Sequence, residues 1–106
     1  MTPSVELLWW EGCPSTAKAH DLLREALAAE GLDPDGVVLR EVGTEGDAER
    51  EGFVGSPTIR IDGVDVAPAA GEPVGLTCRI YHLRDGRVSP VPDPQDIREA
   101  IREATK

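Results

Sequence analysis

The sequence predicts one α/β domain, and three patterns carry that prediction. An apolar run from Val5 to Trp10 is followed by a helical pattern and then by a second strand-like run, Val37 to Val42. A strand–helix–strand unit of this length implies a parallel strand pair with a right-handed crossover. Further along, two alternating runs are joined by Asp62-Gly63, which is the strongest short-range signal for a hairpin. The chain closes with an amphipathic helical pattern from Asp93 to Lys106.

Length and composition limit the classes of protein that the chain can belong to. Its 106 residues can bury one modest core, so we expect a single domain over residues 1–106. Eleven Lys and Arg against 20 Asp and Glu give a net charge of −9, which argues against nucleic acid and anionic membranes as partners. No leader-like segment and no run of about 20 apolar residues is evident, so a cytoplasmic location is expected. Two cysteines in a reducing compartment are not expected to serve as a structural disulfide.

The first strand and the first helix meet at a cysteine. Val5 to Trp10 has the length and apolarity of a strand that is buried on both faces. The helix is predicted from about Pro14 to Glu30, with Cys13 at its N-cap and the proline in the first turn. A thiol at that position faces free backbone N–H groups and the positive end of the helix dipole, which favours its thiolate.

The middle of the chain is predicted to form two strands and a short helix, and its end a further helix. Val37 to Val42 is the second strand, and Thr44 is expected to cap a short acidic helix that runs through Arg50. Thr58 to Ile61 is the third strand. The last helix begins after Asp93, which is followed by a first-turn proline and acidic residues.

Two segments compete for the strand that follows the third one. If the strand is Val64 to Ala67, then Ala70 to Val91 is an insertion before the last helix. If it is Arg79 to Leu83, then Gly63 to Thr77 is a long loop, and such loops are uncommon in compact domains. The Asp-Gly hairpin signal favours the first alternative.

The motifs resemble those of a known family. Strand, Gly12-Cys13-Pro14 and helix resemble the entry to the thioredoxin fold, Gly55-Ser56-Pro57-Thr58 resembles its cis-proline loop, and Asp93 to Lys106 resembles its closing helix. The chain is therefore similar to the thioredoxin-like superfamily, and more narrowly to small bacterial members, some of which are labelled alkylmercury lyase-like. The resemblance implies a thioredoxin-like fold, with a mixed four-stranded sheet flanked by helices, and a cis bond before Pro57.

One departure from the family pattern bears on the chemistry. The usual family motif is C-x-x-C, whereas this chain has Cys13-Pro14-Ser15-Thr16, so a threonine replaces the second cysteine. The resemblance implies thiol–disulfide exchange or thiol transfer through Cys13, with a protein or small-molecule thiol or disulfide as the partner and no cofactor. Thr16 and Trp10 are candidate substrate contacts, together with Ser56 and Pro57 of the loop.

Cys78 is a possible resolving cysteine, and its position depends on which segment forms the last strand. In the first topology, the strand after the Asp-Gly turn returns the chain to the rim that carries Cys13, and an insertion that holds Cys78 would start there. In the second topology, Cys78 lies at the far end of the sheet, and no disulfide with Cys13 could form.

Other interpretations of the same residues stay open. Cys13 could be an ordinary buried thiol, and Thr16 an ordinary first-turn residue rather than a hydrogen-bond donor to it. A non-catalytic thioredoxin-like binding module is the main alternative function, and organomercurial or soft-metal handling is a further one. A zinc site is not expected, because His20 lies seven residues along the helix from Cys13, about 10 Å away, and the spacing of Cys78 and His82 is similarly wide.

Overall fold

The computed structural model describes residues 2–69 and 71–106. The described elements, in chain order, are β1 (Val5–Trp9), α1 (Thr16–Ala29), β2 (Val37–Glu41), α2 (Glu45–Glu51), β3 (Thr58–Ile61), β4 (Val64–Asp65), β5 (Tyr81–His82), β6 (Val88–Ser89) and α3 (Pro94–Ala104). No helix among these residues is long and apolar enough to cross a membrane.

The central feature is a mixed four-stranded sheet. Its strand order is β2-β1-β3-β4, with β1 parallel to β2 and antiparallel to β3, and with β4 antiparallel to β3. The predicted α/β class is therefore confirmed. The β1–β2 pair is joined through α1, as the strand–helix–strand pattern predicted.

Two apolar clusters cover the two faces of the sheet. Successive residues of a strand point to opposite faces, and in β1 the side chain of Leu7 joins one cluster while that of Leu8 joins the other. The larger cluster packs β1 and β3 against the apolar stripes of α1 and α3. The smaller cluster packs Leu8 against Ala48 of α2 and the fully buried Phe53. The helices thus lie on both faces of the sheet.

The hairpin decides between the two predicted topologies. Asp62 and Gly63 have φ values of 51° and 80°, the positive pair that a two-residue type I′ turn requires. The strand after the turn pairs with β3, so the first alternative is correct. This strand is shorter than predicted and ends at Asp65, whose carboxylate accepts a hydrogen bond from the Ala67 N–H at 2.8 Å.

Residues 66–91, here called the insertion, separate β4 from α3. Its second half contains the small hairpin of β5 and β6, which forms a sheet of its own rather than joining the central one. Gly86, with φ 92°, lies in the tight turn between these strands. Ala70, the predicted first residue of the insertion, lies outside the described residues.

The start of α1 differs from the prediction. The helix begins at Thr16 with Ser15 as its N-cap, so Cys13 lies two residues before the cap and Pro14 lies before the first turn. The caps of the other two helices are as predicted. Thr44 Oγ1 accepts the Asp47 N–H at 3.0 Å, and Asp93 accepts the Gln95 N–H at 2.9 Å.

Candidate functional site

Cys13 lies in a tight turn between β1 and α1. Its N–H donates to the Trp10 carbonyl at 3.0 Å, and this bond closes the turn before the helix begins. The residue is only 7% exposed, and its Sγ donates a hydrogen bond to the Ser56 carbonyl at 3.3 Å. The predicted N-cap position is therefore wrong. The thiol points to the loop before β3 rather than to the free N–H groups of the helix.

That loop carries the proline which the resemblance singled out. The Ser56–Pro57 peptide bond is cis, and both residues are buried. Ser56 Oγ accepts the Trp10 N–H at 3.1 Å, which ties the loop to the end of β1. The Ser56 N–H donates to the Thr77 carbonyl at 2.8 Å, and the Ser56 carbonyl accepts the Arg79 N–H at 2.8 Å. The backbone of Ser56 is thus engaged by the chain's own insertion.

Cys78 is brought to Cys13 by this backbone pairing. Ser56 and Cys78 form an isolated parallel β-bridge, and Cys78 is exposed. Loss of solvation raises the pKa of the Cys78 thiol, and the neighbouring Cys13 thiol raises this pKa further. Both cysteines thus lie at Ser56, Cys13 through its thiol and Cys78 through its backbone. The role of Cys78 as a resolving cysteine stays a prediction.

Arg79 fixes the insertion to the sheet. Its guanidinium donates to Asp65 Oδ2 at 2.7 Å, to Thr58 Oγ1 at 3.3 Å and to the Ala67 carbonyl. It also lies 4.5 Å from the centre of the Tyr81 ring. The side chain of Arg79 is only 7% exposed, so these contacts are made away from bulk water. Sequence reasoning missed this arginine, because nothing in the spacing shows that it is buried.

Tyr81 makes a second connection between the insertion and the cis-proline loop. Its hydroxyl donates a hydrogen bond to the Pro57 carbonyl. Burial strongly raises the pKa of Tyr81, partly offset by the nearby charge of Arg79, so the hydroxyl stays a donor over the physiological range. The side chains of Arg79 and Tyr81 thus anchor the segment that follows Cys78 to β3, to β4 and to the cis-proline loop.

Two glycines allow the close approaches around the cysteines. At Gly55, which has φ 140°, a Cβ would lie 2.9 Å from Arg79 Cβ and 3.1 Å from the Arg79 backbone. At Gly12, a Cβ would lie 2.4 to 2.8 Å from ring atoms of Trp10. Any larger residue at either position would push the insertion or the tryptophan away from the site.

Trp10 and Thr16 flank Cys13 as the sequence suggested, but their roles as substrate contacts remain predictions. Trp10 is partly buried against the smaller cluster, and its ring lies over Gly12. Among the described residues, Thr16 Oγ1 is the only buried side-chain oxygen or nitrogen without a hydrogen-bond partner. The hydroxyl therefore makes no hydrogen bond to the Cys13 thiol.

A cleft of about 560 Å³ opens beside Cys78. Its lining includes residues 67–69, Glu72, Pro73, residues 77–82, the N-cap Asp93 of α3 and Asp96 within that helix. Cys13 and Pro57 do not line it. Within residues 2–69 and 71–106, no three His, Cys, Asp or Glu side chains are grouped in a way that could hold a metal ion.

Comparison of the chain with protein-family models, with curated proteins and with solved structures finds no match.

Proposed function

We propose that this chain is a thioredoxin-like protein that exchanges thiols and disulfides through Cys13 and Cys78 acting as one redox pair. The observation that carries the proposal is the double use of Ser56: its carbonyl accepts the Cys13 thiol, and its backbone pairs with Cys78. The pair supplies the second sulfur that the Cys13-Pro14-Ser15-Thr16 motif lacks.

Exposure assigns different roles to the two sulfurs. Cys78 is exposed and borders the cleft, whereas Cys13 is 7% exposed and does not border it. Exchange requires an in-line approach to the attacked sulfur, so access decides which sulfur meets the partner. Cys78 is therefore the partner-facing sulfur and Cys13 the resolving one, which reverses the roles expected from the sequence.

The exchange step balances with a protein or small-molecule dithiol as co-reactant. In the oxidised pair, a partner thiolate attacks Cys78 Sγ, the Cys13–Cys78 bond breaks, and Cys13 leaves as a thiolate that takes up a proton from solvent. The second partner thiolate then attacks the partner sulfur of the mixed disulfide and releases Cys78. The partner loses two electrons and forms a disulfide, and the protein becomes a dithiol whose Cys13 donates to the Ser56 carbonyl.

The test is to equilibrate the protein in glutathione buffers of graded oxidation and to analyse alkylated samples by mass spectrometry. The wild-type chain should form an intramolecular Cys13–Cys78 disulfide. The matched variants separate the roles of the two sulfurs. Cys13→Ser should accumulate a glutathione adduct on Cys78. Cys78→Ser should accumulate about tenfold less adduct on Cys13, because that thiol is buried.

A second readout tests exchange rather than pairing alone. The oxidised protein, mixed with a reduced dithiol peptide, should yield oxidised peptide, while either serine variant should leave the peptide reduced. If the wild-type chain forms no intramolecular disulfide at any buffer ratio, the proposal fails and a non-catalytic binding module takes its place.

A further inference from the structure

The segment from Cys78 to His82 has the alternation of a strand that presents one face to solvent. Cys78, Ile80 and His82 are exposed, with Ile80 at 68%, whereas Arg79 and Tyr81 are 8% and 4% exposed. Ile80 is an exposed large apolar residue two positions from the partner-facing sulfur. On the neighbouring strand β6, Val88 pairs with His82 and is 67% exposed. An apolar strip therefore continues the outward face beyond Cys78.

One backbone edge of this segment is open. The hydrogen bonds to Ser56 are made by the Thr77 carbonyl and the Arg79 N–H. Because the polar groups of successive strand residues point to opposite edges, those of Cys78 and Ile80 point away from Ser56. Within residues 2–69 and 71–106, the N–H and C=O groups of Cys78 and Ile80 make no hydrogen bond. Such an edge is a template for an added strand.

The charge around the cleft selects the kind of segment that can lie there. Its lining contributes three carboxylates, those of Glu72, Asp93 and Asp96. Asp96 is already paired with Arg84 at 2.7 Å, so among the described residues Glu72 and Asp93 are the lining carboxylates without an ion pair. The one arginine of the lining, Arg79, is buried and paired with Asp65, which is not part of the lining. In a chain of net charge −9, the cleft thus favours a positively charged ligand.

We propose that the open edge of Cys78 and Ile80 binds an extended, basic, cysteine-containing segment of a partner protein as an added β-strand. The partner's cysteine would lie against Cys78, and its flanking basic residues would face the carboxylates of the cleft. This inference rests on the proposed function, since it names the partner class of the same sulfur.

The probe is an eight-residue peptide with one central cysteine, flanked by lysines, and with its thiol activated as a mixed disulfide with thionitrobenzoate. The protein is the Cys13→Ser variant, in which the product cannot be resolved. The Cys78 thiolate attacks the peptide sulfur, the peptide–Cys78 disulfide forms, and thionitrobenzoate leaves with the electron pair. Its absorbance gives the second-order rate constant.

The matched controls are two N-methylated peptides. In an added strand, only alternate N–H groups face the edge, so methylation of those positions removes the pairing while methylation of the others leaves it. The peptide methylated at the N–H groups that face the edge loses two hydrogen bonds and should react about tenfold more slowly. The peptide methylated at the other N–H groups should react about as fast as the parent peptide. Equal effects of the two patterns would overturn the added strand.

The charge of the partner is tested with a peptide in which glutamates replace the lysines. The lysine peptide should react faster, the difference should shrink at about 1 M salt, and Glu72→Gln should reduce it. Equal rates for both peptides at low salt would overturn the basic partner. The activated disulfide of a small uncharged thiol distinguishes the two proposals. If neither this small disulfide nor the peptides react at Cys78, the proposed function is wrong. If the small disulfide reacts and all peptides react at equal rates, the proposed function stands and the docking edge alone is refuted.

Discussion

The central sheet and the insertion are held in place by different forces. The sheet is covered by side chains such as Leu7, Leu23 and Ile59, which are fully buried and make nondirectional apolar contacts. The insertion places Val91 in the larger cluster and packs Leu76 against the smaller one, whereas its segment around Cys78 is held by directed bonds from Arg79 and Tyr81 to carbonyl, hydroxyl and carboxylate groups.

These two kinds of contact explain how the two cysteines come to lie at one site. An apolar core tolerates exchange of one aliphatic residue for another, because it asks only for volume and pattern. A buried guanidinium requires each of its partners, because an unpaired buried charge is costly. The position of Cys78 therefore depends on a few polar groups, while the position of Cys13 depends on the fold as a whole.

The largest effect is expected from Arg79→Met. Removing this cation leaves the Asp65 carboxylate without its partner in a mostly buried place, so we expect a loss of about 3–5 kcal/mol in the free energy of unfolding. Arg87→Met is the matched control, because Arg87 is 75% exposed and its one ion pair within residues 2–69 and 71–106 is with the exposed Asp85. Urea titrations measure both. Similar small losses in the two variants would show that the insertion is not held by Arg79.

Two buried threonine hydroxyls should respond in opposite directions to replacement of the residue by valine. Thr58 Oγ1 donates to the Gly55 carbonyl at 2.6 Å and accepts from Arg79, so Thr58→Val should cost about 1–3 kcal/mol. Thr16 Oγ1 has no hydrogen-bond partner among the described residues, so Thr16→Val should stabilise the protein by up to about 1 kcal/mol. Thermal unfolding of both variants tests the contrast. A destabilised Thr16→Val variant would reveal a partner for that hydroxyl.

The influence of Cys13 on the Cys78 thiol should show in the reactivity of Cys78. Cys13 contributes to the raised pKa of Cys78, and loss of solvation, the larger cause, remains when Cys13 is removed. Cys13→Ala should therefore lower the pKa of Cys78 part of the way towards its ordinary value and speed its alkylation near pH 8. Iodoacetamide rates against pH measure this, with Thr16→Val as a variant that keeps Cys13. An unchanged pH profile would show that Cys13 does not influence the pKa of Cys78.

The smallest effect concerns the junction between the insertion and α3. Bonds from the backbone N–H groups of Arg84 and Gln95 lower the pKa of Asp93. A carboxyl with a lower pKa in the folded than in the unfolded state contributes stability that is full above the unfolded pKa of about 3.9 and is lost as the pH falls through the folded pKa.

Asp93→Asn should accordingly reduce the loss of stability on acidification. The measurement is the urea midpoint of each protein at about pH 6 and about pH 3, a range that brackets the ordinary carboxyl pKa. Asp21→Asn, which changes an exposed carboxylate of α1, is the control. If both variants lose as much stability as the wild type, Asp93 is not an acid-sensitive cap.

The strands of the central sheet and the main helices could be predicted from the sequence, because they depend on local signals. The exact ends of most elements could not, since β1, α1, β2, β4 and α3 are each shorter than predicted. Hydrophobic periodicity predicted β1, α1 and α3, and the Asp62-Gly63 pair predicted the hairpin, since each pattern is read within a few residues. The start of α1 was misplaced, because Pro14 suits a first turn, but a hydrogen bond from Cys13 to Trp10 delays the helix until Thr16.

The assembly of the candidate site depends on contacts between distant parts of the chain. Cys13 and Cys78 are separated by most of the chain, and they meet because Ser56 is bonded to both segments. The burial of Arg79 depends on Asp65 and Thr58, which lie on two different strands. Long-range polar contacts have no period along the sequence, so the sequence does not indicate which residues will make them. Their partners come within hydrogen-bonding distance only when the sheet has formed.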